Sequence, residues 1–531
     1  MDFDLDRFNS RRSTVFATEG MVATSQPLAA QAGLDLLKDG GNAFDAAVAT
    51  AAALNVVEPT STGIGGDVFA CYRTADGEIG ALNASGPSGD RATLERVRDR
   101  VEGDEPTMPD RGGLTVTVPG AARGWEWTLE THGNLTFEDV LAPAIRYASD
   151  GYPVSEVIAS YWQYAEDLFE TDHARAAYLK DGRAPTAGEM MRLPRLAESF
   201  EAVASEGADA LYEGHLGEAI VEEVQRDGGL LELDDLRTFQ PEEVEPVTGT
   251  FRDATIYELP PNTQGTIVPQ ALETAEAAGL DADAFGSGAY DHRLIEATKL
   301  AFHDGHRHLT DPDHESIPDL LSPPHIEDRA ARIEDDDVLD VSVLEGLAEE
   351  SDTVLLCVAD AEGNLVTYIN SRFAGFGSGL VAGETGIALQ NRGASFSLDV
   401  DHPNRMAPGK RPFHTLIPAM ADLGDDAWLS FGVMGGYMQP QGHIQVLTNL
   451  IDGGLSLQAA LDRPRWRHFA DGSLGLEARY EEAVMNDLLR RGHDVRIRPP
   501  VSFGGAQAIL HRDGIHAGAT EPRKDGLVAA Y

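Results

Sequence analysis

Thr353 stands at the head of a β-branched, apolar run, residues 353–360, directly after Ser351 and Asp352. A threonine there is ordinarily a plain strand former. It gains a second meaning if the bond between Asp352 and Thr353 is cut. Thr353 then becomes N-terminal and carries a hydroxyl nucleophile and an α-amine base in one residue, a known route to an activated threonine. An α-amine with a pKa of about 8 can take the hydroxyl proton at neutral pH.

Such a residue needs a rigid strand behind it and an accessible bond in front. The run TVLLCVAD, the turn AEGN and the run LVTYIN predict a β-hairpin. The acidic stretch 334–352 reads as an exposed linker leading to the scissile bond. Upstream, residues 26–57 carry a small-residue helical pattern broken at Gly40-Gly41, with Asp45 heading an Ala-rich helix. The loop holding Gly63, Gly65 and Gly66 could cradle an anion, but no Lys-Ser/Thr follows it and no helix opens there. Close backbone approach is the better explanation of those glycines. LTVTVPGAARGW reads as strand, turn and helix start, and amphipathic helices follow to about residue 240. One of them is capped and ends at Gly151. ATIYELPPNTQGTIVPQALETAE predicts strand, loop and helix, and WLSFGVMGG a strand that runs into the helix PQGHIQVLTNLIDGG. Strands and helices alternate in both halves, which points to layered α and β structure.

His292, His303, His306, His308 and His314, with Asp304, Asp311 and Asp313, crowd one stretch. They lack the paired spacing of a zinc motif, so a helix end decorated with His and Asp is preferred to a metal site. No metal and no cofactor are expected.

The chain has 531 residues, 42% of them hydrophobic, with 88 Asp plus Glu against 41 Lys plus Arg, a net charge of −47. It is long and apolar enough for a large core. A negative surface spread along the whole chain repels nucleic acid and anionic membranes, and neither is an expected partner. Of two readings, ordinary acidity and a halophilic adaptation to a high-salt cytoplasm, the second is preferred. Cys71 and Cys357 lie far apart in apolar runs and read as buried free thiols. Arg11-Arg12 is not followed by a signal-peptide core, and no run of about eighteen apolar residues occurs. The expected location is therefore cytoplasmic.

Over nearly its whole length the sequence resembles the γ-glutamyltransferase (γ-glutamyltranspeptidase) family of N-terminal nucleophile hydrolases, made as proenzymes. The motifs that carry the likeness are MVATSQPLAAQAGLDLLKDGGNAFDAAVA, GIGGDVF, TVPGAARGW, LAPAIRYASDGYPV, TLIPAM, SFGVMGG and LDRPRW. The resemblance implies an α+β fold, a four-layer αββα sandwich, and self-cleavage between Asp352 and Thr353. A large fragment 1–352, ending in the linker 334–352, and a small fragment 353–531 would stay associated. It also implies Gly435 and Gly436 as oxyanion donors and, by ungapped alignment, Ser371 as a hydroxyl supporting Thr353.

Three departures bear on substrate. The family's carboxylate-binding Arg is absent from 82–87, where Asn83 and Ser85 stand. The family's Asp for the α-amino group aligns with His402. A pair of serines is replaced by His414 and Thr415. Arg411 and Arg405 are candidate carboxylate clamps. This pattern resembles the branch of cephalosporin-acylase-like and oxamate-amidase-like members. The expected activity is cleavage of a γ-glutamyl, glutathione-like amide. A second reading is an acylase or amidase for a non-glutamyl carboxylated amide, and a third an unprocessed, silent binding protein of the same fold. In the first two the partners are a small-molecule amide and a water or amine acceptor.

Overall fold

A computed structural model describes residues 12–101, 107–341 and 353–531. The acidic stretch is described as far as residue 341, and Asp352 lies outside the described residues.

The predicted hairpin forms as strands Val354–Asp360 and Leu365–Ser371, with Val354 opposite Asn370. The Asp360 carboxylate accepts the N–H groups of Glu362, Gly363 and Asn364, each at 3.0 Å, and so fixes the turn. This hairpin is central in a seven-stranded antiparallel sheet. The strand order is Leu527–Ala530, Gly20–Thr24, Val354–Asp360, Leu365–Ser371, Asp67–Arg73, Ile79–Ala84, Glu242–Val244. A second seven-stranded sheet runs Val15–Ala17, Ile515–Thr520, Gly505–Arg512, Trp428–Met434, Ala419–Asp422, Ala254–Glu258, Val247–Phe251.

Side-chain alternation assigns the layers. Leu355, Cys357 and Ala359 join Met420, Met434 and Ile509 in the core between the sheets. Val354, Leu356 and Val358 face the other way, onto helices Pro27–Lys38, Ala43–Val57 and Ala121–His132. Beyond the second sheet lie helices Ile267–Ala277, Gly288–His308 and Met438–Ile451. The result is helix, sheet, sheet, helix: an α+β sandwich of four layers. A strand covered on both faces must be apolar at successive positions, as VLLCVAD is.

The Ala-rich helix Ala43–Val57 is buried at every residue, and alanine at this density lets it lie close against the sheet. Asn42 caps it, and Asp45 closes a capping box. The helix Phe137–Asp150 starts on the Thr136–Asp139 box and stops at Gly151, whose φ of 96° suits glycine. Residues 114–118 are not the strand their alternation predicts. A short 3-10 turn, Gly113–Thr115, stands there, and Val118 donates singly to Pro87 O at 3.0 Å. That stretch is extended without a partner strand, because it lies across a loop. Cys71 and Cys357 are free and buried. Among the described residues no helix is long and apolar enough to cross a membrane.

Candidate active site

Thr353 immediately precedes the strand Val354–Asp360 and is buried to 1% exposure. Its Oγ1 lies 3.1 Å from Ser371 Oγ, on the partner strand of the hairpin. Ser371 Oγ also accepts the Phe373 N–H at 3.0 Å, which orients the hydroxyl. The antiparallel ladder brings these residues together: Val354 pairs with Asn370, so the residue before faces the residue after.

The stacking of the two sheets places the glycine pair. Ser430 Oγ bonds Thr367, which stands opposite Cys357, and a Cβ at Gly432 would meet Leu355 at 3.0 Å. Carried two residues further along each strand, the same register would bring Met434 level with Thr353. Gly435 and Gly436 have φ of 120° and 58°, and their carbonyls accept from Met438 and Gln439 as the next helix starts. A planar trans peptide then points the Gly436 N–H away from that helix.

Across the sheet from Ser371 stands Asp67, its register partner. Asp67 is fully buried. Its Oδ1 accepts from the N–H groups of Gly86 (3.4 Å) and Gly120 (3.2 Å) and from Gln390 (3.0 Å). Its Oδ2 lies 3.1 Å from His414 Nε2. His414 Nδ1 accepts the Leu416 N–H, so the proton sits on Nε2 and is donated to Asp67. Burial pushes the Asp67 carboxyl up to about 7, with the Arg392 charge opposing it. Burial, helped by Arg392, holds His414 well below the usual imidazole range, so it is neutral.

Arg392 is also fully buried. Its Nη1 donates to Thr415 Oγ1 at 2.9 Å, and its guanidinium lies 4.2 Å from the Phe373 ring centre. Gln264 joins this group to the glycine pair by donating to both Thr415 O (2.7 Å) and Gly436 O (3.0 Å). The structure therefore gathers Thr353, Ser371, His414, Thr415 and the glycine pair around Asp67, Arg392 and Gln264.

Other residues named from the sequence are engaged differently. Asn83 donates to Asn262 at 2.9 Å and accepts the Ser85 hydroxyl at 2.7 Å, while Asn262 donates to Pro412 O at 2.7 Å. These side chains tie the loop 411–415 to the sheet. His402 is half-buried and accepts the Asn404 N–H at 3.0 Å. Arg411 is paired with Glu242, and Arg405 with Glu315 at 2.5 Å. Both arginines already hold carboxylates of the protein.

Asp67, Arg392, Gln264 and Tyr437 were not singled out from the sequence. Arg392 is the one charged residue between Glu384 and Asp399, and that isolation was the signal available.

The glycines of 63–66 serve backbone approach. A Cβ at Gly65 would lie 2.4 Å from Ala388 O, and one at Gly66 2.2 Å from Ser371 O. The histidines of 292–314 do not converge. Among the described residues, His292, Glu296 and His493 form the one group with metal-ligand proximity. Lys299 Nζ lies 3.0 and 3.2 Å from the two Glu296 oxygens, so an ammonium already neutralises that carboxylate.

Comparison with known proteins gives one consistent result. The sequence model of the Gamma-glutamyltranspeptidase family matches residues 29–531. A "Glutathione hydrolase-like YwrD proenzyme" of Bacillus subtilis is 36% identical, over 97% of this chain and 98% of that protein. An "Oxamate amidohydrolase proenzyme" of Klebsiella pneumoniae is 37% identical, over 98% and 100%. The crystal structure of a cephalosporin acylase from Bacillus halodurans superposes with a TM-score of 0.91 at 41% identity, over 100% of this chain and 98% of that one.

Proposed function

Since this chain belongs to the gamma-glutamyltranspeptidase family of N-terminal nucleophile hydrolases, we propose that it matures by cutting itself before Thr353 and then uses Thr353 to split an amide. The observation that carries this is the Thr353 hydroxyl, 3.1 Å from Ser371 Oγ at the head of a hairpin whose two strands are buried at every residue. Thr353 Oγ1 attacks the amide carbonyl, and its freed α-amine takes the proton. The N–H groups at Gly435 and Gly436 receive the oxyanion; removing one such donor typically costs about 2.7–4 kcal/mol of barrier. Ser371 keeps the nucleophile in its attacking rotamer. Water or an amine then accepts the acyl group.

Scission leaves fragments 1–352 and 353–531 associated, because each sheet is built of strands from both. The relatives' designation as proenzymes is in keeping with maturation by cleavage.

A γ-glutamyl acyl group is the first reading of its substrate. The second, a non-glutamyl carboxylated amide, is favoured by a specific observation. Asp67, the buried carboxylate beside Arg392, is already held by four donors of the protein, so an α-ammonium would have to compete with them for it.

Intact-mass measurement of purified protein tests maturation: a fragment beginning at Thr353 is expected. A single full-length species that turns over no amide would overturn the proposal and favour a silent binding protein. γ-Glutamyl anilides compared with dicarboxylic monoamides then separate the two substrate readings.

A further inference from the structure

Arg392 is wholly buried, yet half of its fork is unused. Nη1 is bonded to Thr415 Oγ1. Nε and Nη2, the two donors of its other edge, meet no hydrogen-bond acceptor among the described residues. The same edge holds carboxylates elsewhere in this chain. Arg329 grips Asp304 with Nε and Nη2, each at 2.7 Å. Arg523 grips Glu477 at 2.7 and 2.7 Å, and Arg252 grips Asp452 at 3.0 and 2.9 Å. Asp67 faces Arg392 electrostatically, but its oxygens are bonded to Gly86, Gly120, Gln390 and His414.

Two more buried polar atoms of this cluster meet no hydrogen-bond partner among the described residues: the Tyr437 hydroxyl, which feels the Arg392 charge, and Oε1 of Gln264, whose amide nitrogen donates to Thr415 O. A buried guanidinium edge without an acceptor is costly unless a ligand supplies one. Contacts also link Arg392 to the chemistry. Arg392 stacks on Phe373, whose N–H bonds Ser371 Oγ, which touches Thr353 Oγ1.

We propose that the Nε–Nη2 edge of Arg392 is the acyl-carboxylate anchor, and that the substrate class is an amide whose acyl group ends in a carboxylate and carries no ammonium. This rests on Thr353 being the nucleophile. A planar fork matches a carboxylate bidentately. An α-ammonium on the same acyl group would meet the guanidinium charge, with Asp67 already engaged.

The test uses matured protein whose small fragment begins at Thr353. Oxalyl, succinyl and glutaryl 4-nitroanilides are compared with neutral acyl anilides of matching length and with γ-glutamyl-4-nitroanilide. The best dicarboxylic anilide should exceed its neutral twin in kcat/KM by about 100-fold, because a site built for a charged group rejects the analogue lacking it. Arg392→Gln should bring that ratio below about fivefold, and Arg392→Lys should fall between, keeping the charge without the fork. Equal turnover of the twins, an undiminished ratio in Arg392→Gln, or faster turnover of the γ-glutamyl anilide would each overturn the anchor. If Arg392→Gln fails to mature, inhibition of the wild type decides: oxalate, succinate or glutarate must inhibit more strongly than its monomethyl ester. Absence of both the Thr353 fragment and all anilide turnover would instead sink the nucleophile reading, and the anchor with it.

Discussion

At the scale of single residues, one hydroxyl is asked to do two jobs. Thr353→Ala should leave the chain whole on a denaturing gel and without amidase activity. Thr353→Ser should still split, more slowly. A Thr353→Ala protein that separates into two fragments would refute the shared role. Ser371 acts only through Thr353, so its loss should be milder. Ser371→Ala is expected to lower kcat by about tenfold, ~1.4 kcal/mol of barrier, with KM nearly unchanged. A KM effect without a kcat effect would argue that Ser371 contacts the substrate instead. Thr353 was legible only through the family likeness carried by long motifs, because a threonine before a strand is by itself an ordinary strand former. Arg392 was not, because nothing local distinguishes a buried arginine with an open edge from one already paired.

Among elements, the helix Gly288–His308 holds the start of the acidic stretch. His292 Nε2 bonds Glu334 O at 2.8 Å, Lys299 donates to Leu339 O at 2.6 Å, and Leu339 N–H donates to Glu296 Oε2 at 2.7 Å. His493, from the far end of the chain, closes this cluster 2.8 Å from His292 Nδ1. Burial, and then His292, hold the His493 imidazole down to about 3. A group depressed below its unfolded value contributes stability above the unfolded pKa of about 6.5 and loses it as pH falls towards the folded one. The wild-type advantage over His493→Asn in urea unfolding should therefore shrink by roughly 2 kcal/mol between about pH 7 and about pH 5. A pH-independent difference would contradict the neutral, buried assignment.

Close loop crossings are the other device at this scale. A Cβ at Gly120 would lie 1.9 Å from Ala84 O, a backbone atom that cannot step aside. Gly120→Ala should cost more than about 3 kcal/mol, or prevent folding, measured as loss of soluble matured protein or of thermal stability.

For the molecule as a whole, charge and topology act separately. A net charge of −47 spread over a two-sheet sandwich is self-repelling at low ionic strength. We expect the melting temperature to rise by at least ~5 °C from about 0.1 M to about 2 M KCl, as screening shortens that repulsion to contact range. A flat or falling melting curve would remove the halophilic proposal. Each sheet contains strands from both sides of residue 352, so a cut there would free a terminus without opening the core.

The sequence by itself determined the hairpin, the capped helices, the buried thiols, the layered fold and the threonine at the strand head. Each follows from local periodicity, capping chemistry, or motifs long enough to carry a family likeness. Residues 114–118 mark the limit: their alternation is strand-like, yet they cross a loop and find no ladder. Only the tertiary structure decided which polar groups are already spent. It gave Arg411 and Arg405 to Glu242 and Glu315, gave Asp67 to His414 and three further donors, and left one edge of Arg392 open. Whether a side chain is free for a ligand depends on neighbours hundreds of residues away, and hydrogen-bond satisfaction in a buried site is a property of the assembled sandwich.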